Sequence, residues 1–483
     1  MRHGRLRVLP IDMVLEKNIC YQLCSPPNIF PNDFMRILIL GAGSSGRRLA
    51  SRLCAEQHDV VLVDRNQTAL DRVEASLDVL SVHGGAADPR VLKEAGLDKS
   101  DLLVAVTNSD SVNLLACALA EQVGVSRTVA RVGNDAFTCK DSLFDLKELG
   151  IDLVVNQQQE CARDLYNMLR IPGAQEVVDL MGGRVLCVGV QLGMDCPLLS
   201  DTLKDSPHKE LLSTLRFVAF SRGGKLKIPR GETQFVIGDV VYLIGEPDPI
   251  KRAVKFLLPA EDPYTRVVIA GGGELGLQLG RSLERSGLDL VLVEENGERA
   301  EHCSELLQKT LVIQGNALQQ ETLQELGIHH NTAFVAVTGD DENNIMSCLV
   351  AEKMGAHFTI SRVDKGAYVP IIDHLSLVDR VVSPHSSLIN AIYHFVRGTN
   401  VKRDRLLQKI DGEVLEFVLQ SPHPWIDRSV GEIKLPRGAM ISMVLRGDLL
   451  KVATGDLQLR VGDRVLLFGL PKAIKNLDEL LAD

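Results

Sequence analysis

A chain of 483 residues, 45% of them hydrophobic, has material for several packed cores, and its length alone predicts roughly three or four domains of ordinary size. The formal net charge of −10 excludes a bulk electrostatic role on DNA, RNA or anionic lipid, which require a concentrated positive field, so no nucleic-acid partner is expected. No run of eighteen or more apolar residues occurs, and the N-terminus lacks the apolar core of a secretory signal, so the expected address is cytoplasmic.

Residues 1–34 include the Pro/Asn/Asp-rich phrase CSPPNIFPND and carry no sustained periodicity. Either this is a flexible extension or Met35, directly before the first apolar run, is the natural start. Cys20 and Cys24 form a C-x3-C pair, but no second pair or His-x3-His completes a zinc site, and no metal is expected. Cys54, Cys117, Cys187 and Cys348 lie in apolar or helical contexts, the pattern of buried thiols rather than of a disulfide framework.

From Arg36 an apolar run, ILIL, leads through a glycine loop into an amphipathic stretch ending at Gln57, and then into VVLVD, which closes at Asp64. Further apolar runs at DVLSV, LLVAV and TVARV, separated by helical patterns around Leu92 and Leu114–Leu119, predict a doubly wound, Rossmann-like parallel sheet. The second half repeats the first: Gly41 maps to Gly271 and Asp64 to Glu294 at a common offset of 230. VAVTNSDSVNLLAC, from Val104, likewise maps to VAVTGDDENNIMSC, from Val335, placing Asn113 over Asn344 and Cys117 over Cys348. Two intervening stretches of short alternating runs also match each other, GETQFVIGDVVYLIG from Gly231 and GDLQLRVGDRVLLFG from Gly455. Each reads as a small α+β module in which a tight Gly-Asp turn feeds the last strand, followed by a helical tail. The fold class is α/β, with two doubly wound parallel-sheet domains each followed by a small α+β module.

Gly41-Ala42-Gly43-Ser44-Ser45-Gly46 and Gly271-Gly272-Gly273-Glu274-Leu275-Gly276 both have the G-x-G-x-x-G spacing between a predicted strand and a helix. In that pattern the glycines permit the tight turn, the approach of a pyrophosphate to the backbone and close helix packing, and the phosphates meet free N–H groups at the helix start. An acidic residue closes the second strand 21 residues beyond the second glycine in each copy, Asp64 or Glu294, suited to both ribose hydroxyls of NAD(H) or of an adenosine nucleotide such as ATP or ADP. Arg65 stands ready to meet a 2′-phosphate or to remain a solvated surface arginine. Glu274 places a carboxylate inside the second loop, which faces the pyrophosphate unless it turns to solvent. Thr107-Asn108 and Thr338-Gly339 follow the fourth strand of each copy, as ligand contacts or helix N-caps, while Arg131 and Arg362 end the next strand, as phosphate contacts or surface ion pairs. His208 in KDSPHKE and His423 in SPHPW read as loop histidines without an orienting partner, and no catalytic residue is assigned. No GKS/T loop, HExxH or Gly-x-Ser-x-Gly elbow occurs.

The duplicated order and its phrases, ILGAGSSG, VLVD, GGAADPRVLKEAG, LLVAVTNSD and VARV in copy one, VIAGGGELG, VLVEE, QGNALQQETLQELG, FVAVTGDDENNIMSC, KMGA and GAYV in copy two, resemble the paired regulator-of-potassium-conductance (RCK) domains of bacterial Trk potassium-uptake systems. The resemblance spans about residues 35–483. It implies RCK N-type nucleotide-binding domains at 35–160 and 264–390 and C-type modules at 173–258 and 401–483. It further implies nucleotide contacts from Gly41 through Ser45, Asp64, Thr107, Asn108 and Arg131, and from the second loop, Glu294, Thr338, Gly339 and Arg362. Many such domains carry Gly-Asp-Ala after the third strand, where this chain has Gly84-Gly85-Ala86 and Gly315-Asn316-Ala317. The expected function is that of a nucleotide-sensing regulatory subunit, peripheral at the inner face of the cell membrane. Self-assembled into a dimer or tetramer ring, it would gate a TrkH-like potassium-translocating subunit. The rival reading is an NAD-dependent oxidoreductase with one catalytic and one relic unit, and a stand-alone nucleotide-responsive scaffold is a third.

Overall fold

The computed structural model describes residues 34–137, 145–259, 264–397, 402–406, 412–470 and 473. Residues 1–33 of the expected extension, with Cys20 and Cys24, and nearly all of the last helical tail lie outside the described residues.

Strands β1 (Arg36–Leu40), β2 (Asp59–Asp64), β3 (Leu80–His83), β4 (Leu102–Ala105), β5 (Arg127–Arg131) and β6 (Leu153–Val155) form a parallel sheet in the order β3-β2-β1-β4-β5-β6. They alternate with helices α1 (Ser44–Ala55), α2 (Gln67–Glu74), α3 (Pro89–Glu94) and α4 (Asp110–Gln122), and α5 (Gln157–Leu169) follows the last strand. Both faces of the sheet are covered, which is why its strands read as unbroken apolar runs: Ile37 and Ile39 of β1 enter one core, Leu38 and Leu40 the other. The strand order reverses at β1 and β4, so the loops after them diverge and open a crevice at the sheet's C-terminal edge.

An antiparallel module follows, with β7 (Ala174–Leu180), β8 (Val185–Gln191), α6 (Lys209–Thr214), β9 (Leu215–Arg222), β10 (Lys225–Lys227), β11 (Val240–Gly245) and α7 (Pro247–Leu257), its strands ordered β10-β9-β11-β8-β7. The second parallel sheet repeats the first, as β14-β13-β12-β15-β16-β17. Its elements are β12 (Arg266–Ala270), α8 (Glu274–Leu283), β13 (Asp289–Glu294), α9 (Gly297–Leu306), β14 (Leu311–Gln314), α10 (Gln320–Glu325), β15 (Thr332–Ala336), α11 (Asp341–Lys353), β16 (Phe358–Arg362), α12 (Val369–Leu375), β17 (Arg380–Val382) and α13 (Pro384–Arg397). A second antiparallel sheet, β18 (Lys402–Leu406), β19 (Glu413–Val418), β20 (Ala439–Arg446), β21 (Leu449–Val452) and β22 (Arg464–Gly469), is ordered β18-β19-β22-β20-β21.

The last helix of each Rossmann-like unit covers the other unit. Cys161, Ala162, Leu165 and Leu169 of α5 are buried against Val267, Ile269 and Leu279 of the second unit. Leu388, Ile389, Ile392, Tyr393 and Val396 of α13 are buried against Ile37, Leu49, Val104 and Val129 of the first. Arg52 of α1 stacks on Tyr393 at 3.8 Å and donates to Asn390 Oδ1 at 2.9 Å, and Ser387 Oγ donates to Asp164 Oδ2 at 2.7 Å where the two exchanged helices meet. An α5 or α13 apolar stripe left without the opposite sheet would return to water at roughly 25 cal/mol per Å², so the exchange holds the two units together.

The two antiparallel modules pack face to face through Val178, Tyr242 and Ile244 on one side and Val414, Met443, Leu445 and Phe468 on the other. The Gly-Asp turn of each has a clear physical purpose. Gly238 and Gly462 adopt φ of +83° and +84°, open to glycine at little cost, and the following aspartates are only 1% exposed. Asp239 accepts from Arg222 Nε and Nη2 at 2.8 and 2.7 Å and from Val236 N at 2.9 Å. Asp463 accepts from Arg446 at 2.8 Å twice and from Arg460 N at 2.9 Å. Burial pushes both carboxyls up, but the guanidinium and backbone N–H groups more than offset it and hold them below the usual carboxylate range. Asp239→Asn should therefore cost about 1–3 kcal/mol at neutral pH. The wild-type contribution should be present above the ordinary carboxylate pKa and lost as pH falls through the lowered folded-state value, so urea midpoints of wild type and variant should converge in acid.

Candidate nucleotide sites

Each glycine loop closes onto its own sheet. Gly41 and Gly271, at φ of +110° and +116°, donate to Val63 O and Val293 O at 2.8 Å. A Cβ on Gly46 would lie 1.8 Å from Gly41 O, and one on Gly276 1.9 Å from Gly271 O, so only glycine lets α1 and α8 start against their strands. Gly43 and Gly273, by contrast, face open space with nothing within 4 Å of a Cβ. They occupy the N-cap positions of α1 and α8 and supply no side-chain cap, which leaves backbone donors for an anion.

The acid at the end of the second strand ties the loop down. Asp64 Oδ2 accepts from Ala42 N at 2.6 Å and Oδ1 from Asn66 N at 2.8 Å, and in the second copy Glu294 accepts from Gly272 N at 2.6 Å and Asn296 N at 2.9 Å. A carboxylate carries about four acceptor sites, so ribose hydroxyls can still be met. Glu294 is nearly buried and also pairs with Arg299 at 3.0 Å, whereas Asp64 is half-exposed. Asp64→Ala should orphan the N–H of buried Ala42 and cost about 1–3 kcal/mol by denaturant titration, before any ligand is considered.

On the opposite wall, Thr107 and Thr338 are not helix caps; Ser109 and Asp340 perform that task for α4 and α11. Both threonines instead bond through Oγ1 to Asn113 Oδ1 and Asn344 Oδ1 at 2.7 Å. Each asparagine, fully buried, also reaches the carbonyl of Arg131 or Arg362, at 2.8 and 3.1 Å, and so joins the ends of adjacent strands. The two asparagines superpose in the sequence repeat, but only the structure reveals this cross-brace. Arg131 donates to Asn108 Oδ1 at 3.1 Å, and burial lowers its pKa. Arg362 lies half-buried at the cleft, in an ion pair with Asp364 at 2.6 Å. Exposed Gly339 follows Thr338 at the cleft.

In the second copy these groups line a cavity of about 510 Å³, within the usual range for a small-molecule cleft. Its walls include Gly271, Gly273, Glu274, Leu275, Glu294, Thr338, Gly339 and Arg362, together with Gln158 from the first copy's α5. Glu274 is solvent-exposed, and Gly276 and Gly272 are buried beneath the loop. Asn316, in the place of the missing aspartate, also lines the cavity and donates to Glu295 Oε1 at 3.1 Å. In the first copy Arg65 lies over Gly85, its guanidinium 3.5 Å from where a side chain there would begin.

The exchanged helices bring in residues that motif reading did not find. His385, in the first turn of α13, stands on the first loop, its Nδ1 2.9 Å from Ser45 Oγ and its Nε2 3.2 Å from Ser44 Oγ. Burial lowers its pKa, Asp364 pulls it back up, and Arg48, Arg131 and Arg362 push it down further. His208 and His423 hold no comparable position: one ring packs on Phe256 at 4.5 Å, the other on Trp425 at 5.2 Å. Among the described residues there is no cluster of metal-ligating side chains and no helix long and apolar enough to cross a membrane. Cys117, Cys187 and Cys348 are buried free thiols, and Cys54 is half-buried.

The duplicated cleft has relatives. The TrkA-N domain profile matches residues 37–157 and 267–384, and the TrkA-C domain profile matches 187–258 and 414–482. The chain is 33% identical over 442 residues to the Trk system potassium uptake protein TrkA of Halomonas elongata, covering 91% of this chain and 96% of that protein. The chain belongs to the TrkA family. The TrkA of Vibrio alginolyticus is 32% identical, over 90% of this chain and 95% of its own length, and the Archaeoglobus fulgidus TrkA homologue is 29% identical over 92% and 100%. Among solved structures, the GsuK RCK domain aligns over 93% of this chain and 95% of its own with a TM-score of 0.58 at 20% identity. The GsuK channel bound to NAD aligns over 95% and 82%, with a TM-score of 0.59. The chain shares the RCK fold, with two Rossmann-like units and two modules built on antiparallel sheets.

Proposed function

We propose that this chain is a nucleotide-sensing regulatory subunit of a Trk potassium-uptake system, acting on a membrane potassium-translocating partner and assembling with further copies of itself at the inner face of the membrane. The observation that carries the reading is the helix exchange, which builds the edge of each cleft from both units. A nucleotide on the loop N–H groups then touches residues whose positions depend on how the units pack, and its differential affinity for two packings shifts their populations. Family membership favours regulation over the oxidoreductase alternative, and no hydride transfer is invoked.

In this reading Gly43 to Ser45 and Arg131 hold the phosphates and Asp64 holds an unmodified ribose; the second loop, Glu294, Thr338 and Arg362 do so in the other copy. NAD, NADH, ATP and ADP all carry that ribose. A 2′-phosphate would meet the Asp64 carboxylate, so NADP should bind at least about tenfold more weakly than NAD in a competition titration, and Asp64→Asn should narrow the gap.

The test is potassium uptake by bacterial cells lacking their own subunit of this type. Wild-type chain should restore uptake and co-purify with the membrane subunit, and Gly43→Asp together with Gly273→Asp should abolish the nucleotide response. Equal uptake with both loops blocked would overturn the reading.

A further inference from the structure

His385 belongs to the second unit by sequence and to the first nucleotide loop by position. Besides the two serine hydroxyls, its Nδ1 lies 3.5 Å from Gln157 Nε2. Gln157 is 7% exposed, and its Oε1 has no hydrogen-bond partner among the described residues. The charged groups facing the ring come from every side of the seam: Arg48 from α1, Arg131 at the end of β5, Arg362 at the end of β16 and Asp364 just after it. Asp164 of α5 is engaged by Ser387. The second copy differs at the matching positions. Where the first site has Ser44, Ser45, Arg48 and His385, the second has Glu274, Leu275, Gln278 and Gln158.

We propose that His385 is a ligand contact of the first nucleotide site, donating to the nucleotide's phosphates from across the inter-unit seam, so that binding there takes up a proton and fastens α13 to the loop. This rests on the nucleotide reading above. Burial and three guanidinium groups lower the pKa of the imidazole against the opposing pull of Asp364, and the serine hydroxyls lie within hydrogen-bond reach of its ring nitrogens. A pyrophosphate on the uncapped N–H groups cancels the arginine field and offers the ring an anionic acceptor, which raises its pKa. A group whose pKa rises on binding favours the complex at low pH, and the gain is lost as pH rises through the bound-state value. The pyrophosphate of NAD does not titrate between pH 6 and 8, so any proton taken up belongs to the protein. The second site, with Gln158 in the place of the histidine, should bind independently of pH over that range.

The experiment is calorimetric titration of the full chain with NAD at pH 6 and pH 8, in two buffers of different ionisation enthalpy. Gly273→Asp protein isolates the first site, and Gly43→Asp protein the second. The first site should take up about half a proton on average over this range and, correspondingly, lose about tenfold in affinity from pH 6 to 8. The second should do neither. His385→Gln should flatten the first site's profile and abolish proton uptake while leaving the second site's affinity unchanged. Binding to the first site without proton uptake, or an unchanged pH slope in His385→Gln, would overturn the proposal and leave the nucleotide reading standing. Failure of wild type to bind NAD at either site would overturn both.

Discussion

Gly46→Ala should destabilise the first Rossmann-like unit by about 3 kcal/mol or more, whereas Gly43→Asp, three residues earlier, should leave it folded and unable to bind nucleotide. The added methyl at residue 46 would sit 1.8 Å from Gly41 O, and both partners are backbone at the junction of β1 and α1, so neither can swing away. The alternative is to lift α1, which exposes Leu49 and Leu53 from the core. At residue 43 the new side chain enters open space and costs stability only within about 0.5 kcal/mol, but it sets a carboxylate before the uncapped N–H groups. Urea denaturation and nucleotide titration of the pair separate the two roles of one loop. Binding by Gly43→Asp equal to wild type would show that the phosphates do not lie there.

Leu388→Ala and Ile392→Ala should each cost about 2–5 kcal/mol, and the loss should be felt in the unit to which they do not belong by sequence. Both side chains are fully buried against the first sheet. Hydrogen exchange should accelerate in β1 and β4 on truncation, more than in β12 and β15 of their own repeat. The same truncations loosen α13 and with it His385, so they should also weaken communication between nucleotide and packing. Faster exchange confined to the second unit would contradict the exchanged arrangement.

The repeat, the parallel doubly wound sheets and the Gly-Asp turns are legible because each leaves a local signature: a run buried on both faces, a glycine at positive φ, an acid at fixed spacing. The helix exchange is not. The amphipathic pattern of α5 or α13 reports that one face is buried, not which sheet buries it, and two homologous sheets offer nearly the same surface. His385 was missed for the same reason, since nothing near it in sequence resembles a loop that lies in the other repeat. In sequence Asp64 reads as a ribose contact; its bonds to Ala42 N and Asn66 N show a carboxylate that also shapes the loop. Thr107 stands out by its position after the fourth strand, whereas Asn113, the buried brace behind it, reads in sequence as one more polar residue in a helix.

That both loops are nucleotide sites is tested most directly by titrating the purified full chain with NAD, NADH, ATP and ADP. Two binding events are predicted for wild type, the first lost in Gly43→Asp, the second in Gly273→Asp, and both in the double variant. Absence of binding by wild type, or binding that survives in the double variant, would contradict it.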